Sequence, residues 1–276
     1  MINEIKKSII KNLTLESFDS KKDEIFLTKF SHAQDFPYSK VLFLVTNKKQ
    51  ILGIIKVIRD KKYNVVLSNE FGSQKNSNDH SSKVKTPETY FTDTLENGYD
   101  IYMEEFVGNG PIGKRDAKEY LDKIYLYQDS VIKKEDLSIS SVADIFATKE
   151  IELNNKIYSK LIKKLRGLGG FASKAENHGD LTYMNVCDVK GTTYFIDWTN
   201  YGERKIWGID FVHYFIRSFG IKNEEEFERR LSKYREESGL LADIDYFKKI
   251  YLVDRLYDLL EKNNRYLYVE VCDEIK

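Results

Sequence analysis

The chain has 276 residues, and its 44 Lys and Arg balance 44 Asp and Glu, leaving a formal charge of zero at pH 7. A surface built for DNA or RNA needs a positive excess, so no nucleic-acid partner is expected. With 32 % charged, 41 % hydrophobic and 13 % aromatic residues and only three prolines, the chain is globular rather than disordered or collagen-like. Its length suits one large domain or two small ones. Two cysteines, Cys187 and Cys272, are too few for a disulfide framework and lack metal-ligand spacing, so reduced thiols are expected.

Residues Met1 to Glu24 mix Lys, Glu, Asp and Asn with short apolar pairs, which excludes a signal-peptide core or a membrane span there. Elsewhere the longest apolar run is Val41 to Val45, so no transmembrane segment is expected and a cytoplasmic location is the default. Strands are predicted over 24–31, 40–46 and 50–58, the last two joined by a turn at Asn47-Lys48-Lys49. A short helix over 63–73 competes with the β-branched pair Val65 and Val66, and the polar stretch 75–85 reads as loop. Strands over 89–95 and 100–107 flank Asn97-Gly98, a strong hairpin signal.

After Gly108-Asn109-Gly110-Pro111 the pattern turns helical. Leu153, Ile157, Leu161 and Leu165 recur every four residues, with Gly167 where a helix would stop. A strand-rich segment, 182–198, precedes helices over 207–219, closed by Gly220, over 223–237, with Asn223 and Glu226 spaced as a capping pair, and over 242–261. Five strands with one helix, followed by a mostly helical half, predict an α+β protein of two lobes with a cleft.

Chemistry concentrates in His178-Gly179-Asp180, in Asn185 five residues after Asp180, and in Ile196-Asp197-Trp198, twelve residues further on. Between them Val189-Lys190-Gly191-Thr192 reads as the turn of a hairpin that would gather the three side chains. Phosphoryl transfer needs a group that takes a proton from the attacking hydroxyl and hard oxygen ligands for magnesium. Asp180 suits the first task, and the amide oxygen of Asn185 with the carboxylate of Asp197 suits the second.

These residues resemble the aminoglycoside phosphotransferase and choline kinase group of the protein-kinase-like superfamily. The resemblance implies a bilobal protein-kinase-like fold, with Asp180 as catalytic base and Asn185 and Asp197 as Mg²⁺ ligands. It also implies that His178 braces the catalytic loop and that Asp210, in Gly208-Ile209-Asp210-Phe211, orders it. The kinase-like pattern further demands a strand lysine, met by Lys56, and a helix glutamate to hold it, for which Glu70 is the best placed and Glu88 the alternative. Glu104 and Phe106, at the end of the fifth strand, match the hinge that would meet the adenine edge through backbone groups. The implied division is a nucleotide-binding lobe over 1–103, a hinge over 104–108 and a catalytic and acceptor-binding lobe over 109–276, with ATP or GTP and Mg²⁺ as cofactors.

Two departures narrow the expected activity. The segment 31–39 contains no glycine, whereas protein kinases carry a glycine-rich phosphate loop there, which leaves Ser31 or Ser39 as the candidate phosphate contacts. Gly179 replaces the arginine that follows the loop histidine in protein kinases, and only 12 residues separate Asp197 from Asp210, too few for a peptide-docking segment. A small-molecule hydroxyl acceptor is therefore expected: a sugar, glycan precursor, aminoglycoside or amino alcohol, against which Trp198, Tyr201 and Trp207 can stack. The alternative is a nucleotide-binding pseudokinase or scaffold without turnover.

Overall fold

A computed structural model describes residues 1–14, 24–29, 40–78, 84–108, 110–240 and 243–275. The expected phosphate contacts at Ser31 and Ser39 and most of the expected loop beyond residue 78 lie outside them. The chain gathers into two compact units: one from Met1–Asp79, Lys85–Gly110 and Cys187–Thr199, the other from His80–Val84, Pro111–Val186 and Asn200–Lys276.

In the first unit, strands β1 (Phe26–Lys29), β2 (Lys40–Thr46), β3 (Ile51–Ile58), β4 (Thr89–Thr94) and β5 (Asp100–Glu104) form an antiparallel sheet in the order β1-β2-β3-β5-β4. Side chains alternate across a strand, so Ile55 and Val57 enter the core with Phe43, Val45, Ile101 and Met103, while Lys56 faces the other way. Helix α1 (Ile2–Asn12), to which sequence reading assigned no element, places Ile5 and Ile9 in that core, and Ser8 and Asn12 donate to Asp93. Its polar residues hid a four-residue apolar period of the kind that a docked helix shows.

Helix α2 (Val65–Asn78) follows a short 3-10 turn capped by Asp60 and runs past the expected end at Ser73. Polar composition alone does not distinguish a helical turn from a loop, and neither Gly nor Pro stops the helix between Ser73 and Asn78. A hairpin of β8 (Val186–Val189) and β9 (Thr192–Phe195) completes the unit. Lys85 N donates to Thr193 O, and Phe195 N donates to Lys85 O, so residue 85 acts as an extra edge on β9.

The second unit is mostly helical. It contains α3 (Leu121–Ser130), α4 (Ile139–Thr148), α5 (Glu150–Leu153), α6 (Lys156–Leu168), α7 (Ile209–Phe219), α8 (Glu224–Ser238), α9 (Ile244–Asn263) and α10 (Arg265–Glu274), with a two-stranded antiparallel ribbon of β6 (Ile132–Ser138) and β7 (Phe171–Ala175). The single helix expected around Leu153 to Leu165 is broken. Asn154 adopts a left-handed backbone with φ 44°, and Asn155 caps α6 by accepting from Ile157 N and Tyr158 N. The break shifts the phase: Tyr158, Ile162 and Leu165 are buried, whereas Ile157 is 62 % exposed. Gly169 with φ +55°, not Gly167, ends the helix, because that position needs a conformation that costs glycine little.

Helices α7, α8 and α9 pack through aromatic rings, including Phe211 against Phe247 and Phe227 stacked on Tyr251. Among the described residues no helix is long and apolar enough to cross a membrane.

Candidate active site

In the first unit Lys56 rises from β3 to a buried position between two carboxylates. Its Nζ lies 2.5 Å from Glu70 Oε1 and 2.7 Å from Glu104 Oε1. Burial works against the ammonium charge, but Glu104 and Glu70 more than offset it, and the lysine pKa is raised. Glu88, the alternative partner, is exposed, and its backbone pairs with Glu105. Glu104 was expected to act through its backbone at a hinge. Its main chain sits in register with Ile54 and Thr89 inside the sheet, and its side chain is the second counter-ion of Lys56. Phe106 follows the strand end, and its carbonyl accepts from Gly108 N.

Asp197 lies just past β9 with a left-handed backbone, φ +62°, which is uncommon for a residue with a side chain. Its Oδ1 accepts from Lys40 Nζ at 2.5 Å and from Thr199 Oγ1 at 2.5 Å, and Lys40 also reaches Glu70 Oε2 at 3.0 Å and Thr199 Oγ1 at 2.6 Å. Desolvation opposes the negative charge of Asp197, yet Lys40 and Lys56 outweigh it and hold the carboxyl well below the usual range.

Lys40 and Thr199 were not anticipated. A hairpin count from the turn Asn47-Lys48-Lys49 pairs Lys40 directly with Lys56, on one face of the sheet. The observed register pairs Lys40 with Ile58 and Leu42 with Lys56, a slide of two residues that keeps both lysines on one face but sets them diagonally rather than opposite each other.

In the second unit the chain leaves β7 through Asn177 into the His178-Gly179-Asp180 loop. Asp210, near the N-terminus of α7 and 1 % exposed, accepts from His178 N at 2.6 Å and Gly179 N at 3.0 Å, so it clamps both backbone donors of the loop. Burial raises its pKa. Gly179 has φ +89°, and a Cβ built on it would overlap the carbonyl oxygen of Asn200. No arginine fits there, which gives the physical reason for the glycine that follows His178.

Asp180 presents a half-exposed carboxylate. Asn185, at the end of a 3-10 turn over Tyr183–Asn185, donates Nδ2 to Asp180 O at 2.8 Å and its backbone N to Thr182 O. Behind Asp180 stands His213, whose Nε2 is 3.4 Å from Asp180 Oδ1 and whose Nδ1 is 2.8 Å from Asp254 Oδ1. Arg204, 1 % exposed, lies 3.0 Å from that same Asp254 oxygen and 3.1 Å from Glu261 Oε2.

Burial disfavours the imidazolium, but Asp254 and Asp180 prevail and lift the His213 pKa to about 9. Desolvation opposes the charge of Asp180, and His213, Arg204 and His178 nevertheless hold its carboxyl below the ordinary value. Asp254 and Arg204 carry no local sequence signal, because residues 204, 213 and 254 meet only when three separate segments pack.

Each unit, taken by itself, carries an oxygen donor of the kind that a hard divalent cation takes. Asp197 offers a carboxylate, and because Asn185 commits its Nδ2 to Asp180 O, its amide oxygen remains for a ligand. A second group, His213, Asp254 and Asp258, has ligand atoms within 4.8 Å of one another. Arg204, Arg217, Arg255 and Lys262 already neutralise its carboxylates, so it does not suit a metal.

No protein-family model matches the sequence, and no curated protein matches it either. Solved structures do. The aminoglycoside phosphotransferase APH(4)-Ia superposes with a TM-score of 0.59 at 12 % identity, covering 100 % of this chain and 98 % of that one, and a thermostable mutant was solved with ADP and hygromycin B. The GDP and kanamycin complex of APH(2″)-IIia superposes with a TM-score of 0.57 at 13 % identity, covering 90 % of this chain and 92 % of that one. A protein provisionally named fructosamine-3-kinase, from Thermobifida fusca YX-ER1, superposes with a TM-score of 0.57 at 14 % identity over 99 % of this chain and 98 % of its own. The chain therefore has the α+β, protein-kinase-like fold of the aminoglycoside phosphotransferases.

Proposed function

We propose that the protein is a small-molecule kinase that transfers the γ-phosphoryl group of ATP or GTP to a hydroxyl of a small acceptor, such as a sugar, glycan precursor, aminoglycoside or amino alcohol. The observation that carries this reading is Asp180: a half-exposed carboxylate, kept ionised, on a loop whose backbone donors are clamped by Asp210. A structural aspartate has no need of a pinned loop and an open face. Structural neighbours that bind adenine or guanine nucleotides together with aminoglycosides support the same class of chemistry.

In this reading residues 1–103 bind nucleotide, 104–108 form the hinge with Phe106 meeting the base through its backbone, and 109–276 bind the acceptor. Lys56, held by Glu70 and Glu104, contacts phosphate oxygens. Asn185 and Asp197 hold Mg²⁺, which when bound neutralises charge on the phosphates. Asp180 orients the acceptor hydroxyl and takes its proton as the new O–P bond forms and the bond to the β-phosphate oxygen breaks, releasing the nucleoside diphosphate. His213 stands behind Asp180 and fixes the direction of its carboxylate.

The test is nucleoside-triphosphate consumption with Mg²⁺ across a panel of amino sugars, sugars and amino alcohols, with products identified by mass spectrometry. Turnover that Asp180→Ala abolishes while nucleotide binding persists supports the proposal. Nucleotide binding without turnover on any acceptor favours a pseudokinase scaffold instead.

A further inference from the structure

Lys40 holds a position that the proposed kinase reading leaves unexplained. Its ammonium lies 2.5 Å from Asp197 Oδ1, 3.0 Å from Glu70 Oε2 and 2.6 Å from Thr199 Oγ1, so it occupies the Asp197 oxygen that faces Glu70. A divalent cation bound to that oxygen and an ammonium already touching it would repel each other strongly at such a separation. One of the two must leave.

The surroundings favour departure of the lysine. Its side chain is 15 % exposed at the first residue of β2, on a four-carbon stem with three rotatable donors, whereas Lys56 is boxed in by Glu70 and Glu104. Glu70 keeps Lys56 on its other oxygen when Lys40 goes, so no buried carboxylate is orphaned. Three carboxylates, Glu70, Glu104 and Asp197, face two ammonium groups, Lys40 and Lys56. With the metal on Asp197 and polyphosphate entering, the displaced ammonium finds anionic oxygens nearby. The nine residues before it, 31–39, contain no glycine, so this sequence lacks the glycine-rich backbone that cradles phosphate in protein kinases.

We propose that Lys40 is an exchanging cation: it fills the metal's place on Asp197 in the nucleotide-free protein and moves to the phosphates of the incoming nucleotide when Mg²⁺ takes that place. The inference rests on the nucleotide reading above. It makes Lys40 both a guard of the empty metal site and a phosphate-binding residue, and the two roles predict shifts of opposite sign on neutralisation.

Two titrations of full-length Lys40→Met test it: calorimetry with AMP-PNP and Mg²⁺, and Mn²⁺ binding without nucleotide, followed by electron paramagnetic resonance. Loss of a charge-assisted phosphate contact should weaken AMP-PNP about ten- to hundredfold. Loss of the competing ammonium should tighten nucleotide-free Mn²⁺ binding about threefold or more. A merely structural lysine would weaken both. Only opposite shifts support the exchange, and any other combination overturns it. Should Lys40→Met fail to fold, Lys40→Gln, which keeps a donor but no charge, carries the same expectation. Wild-type protein that binds no AMP-PNP would refute the nucleotide reading itself, whereas wild-type binding with unchanged variants would refute only the role of Lys40.

Discussion

Replacing Lys56 with methionine removes an ammonium that two buried carboxylates share. Glu70 is 0 % exposed and retains Lys40 at 3.0 Å from Oε2, so its charge stays balanced. Glu104 is 3 % exposed, and beyond Lys56 its side chain meets neutral partners, Gln74 Nε2 at 3.1 Å and the Tyr102 hydroxyl. The variant therefore strands one buried carboxylate rather than two. Breaking a buried ion pair from one side costs about 3–5 kcal/mol, and the Gln74 bond places the expected loss near the lower end, about 3 kcal/mol. Urea unfolding at pH 7 of wild type, Lys56→Met, Glu104→Gln and the double variant completes a cycle. The double variant should recover at least half of the loss, because it no longer buries an unpaired charge. A loss below about 1 kcal/mol in Lys56→Met, or no coupling in the cycle, would show that Lys56 is not a structural counter-ion and would refute this account of Glu104.

Gly179→Ala should destabilise the protein by about 2–4 kcal/mol, because the new Cβ meets the Asn200 carbonyl and the residue keeps φ +89°; an unchanged Tm would contradict the close approach. The imidazolium of His213 has its pKa raised from 6.5 to about 9, so its contribution is fully present below about pH 6.5 and is lost as pH rises through about 9. The shift corresponds to about 3 kcal/mol. The Tm gap between wild type and His213→Asn, measured from pH 6 to pH 10, should accordingly narrow with rising pH, and a constant gap would sink the assignment of a charged His213 facing Asp180 and Asp254.

Sequence and structure divide the work along physical lines. The five strands of the sheet, the α+β division and the helices closed by Gly220 and capped by Asn223 were legible because alternation, capping and turn chemistry act over a few residues. So was the grouping of His178, Gly179, Asp180 and Asn185, whose side chains and backbone act within one short loop. Helix α1 and the break at Asn154 were missed, since polar composition and a nearly continuous period mask a docked or interrupted helix.

Other features lie beyond any local pattern. The irregularity that leaves Leu52 of β3 unpaired sets which residues lie opposite each lysine, Ile58 for Lys40 and Leu42 for Lys56. The Arg204, His213 and Asp254 cluster assembles from segments far apart in the chain, and the role of Glu104 changes from main-chain contact to counter-ion once β3 and β5 lie side by side. Residue types and short spacings set the chemistry available to this protein. Long-range packing chose each charge's neighbour, because an ion pair depends on distance in space and sequence separation carries no record of it.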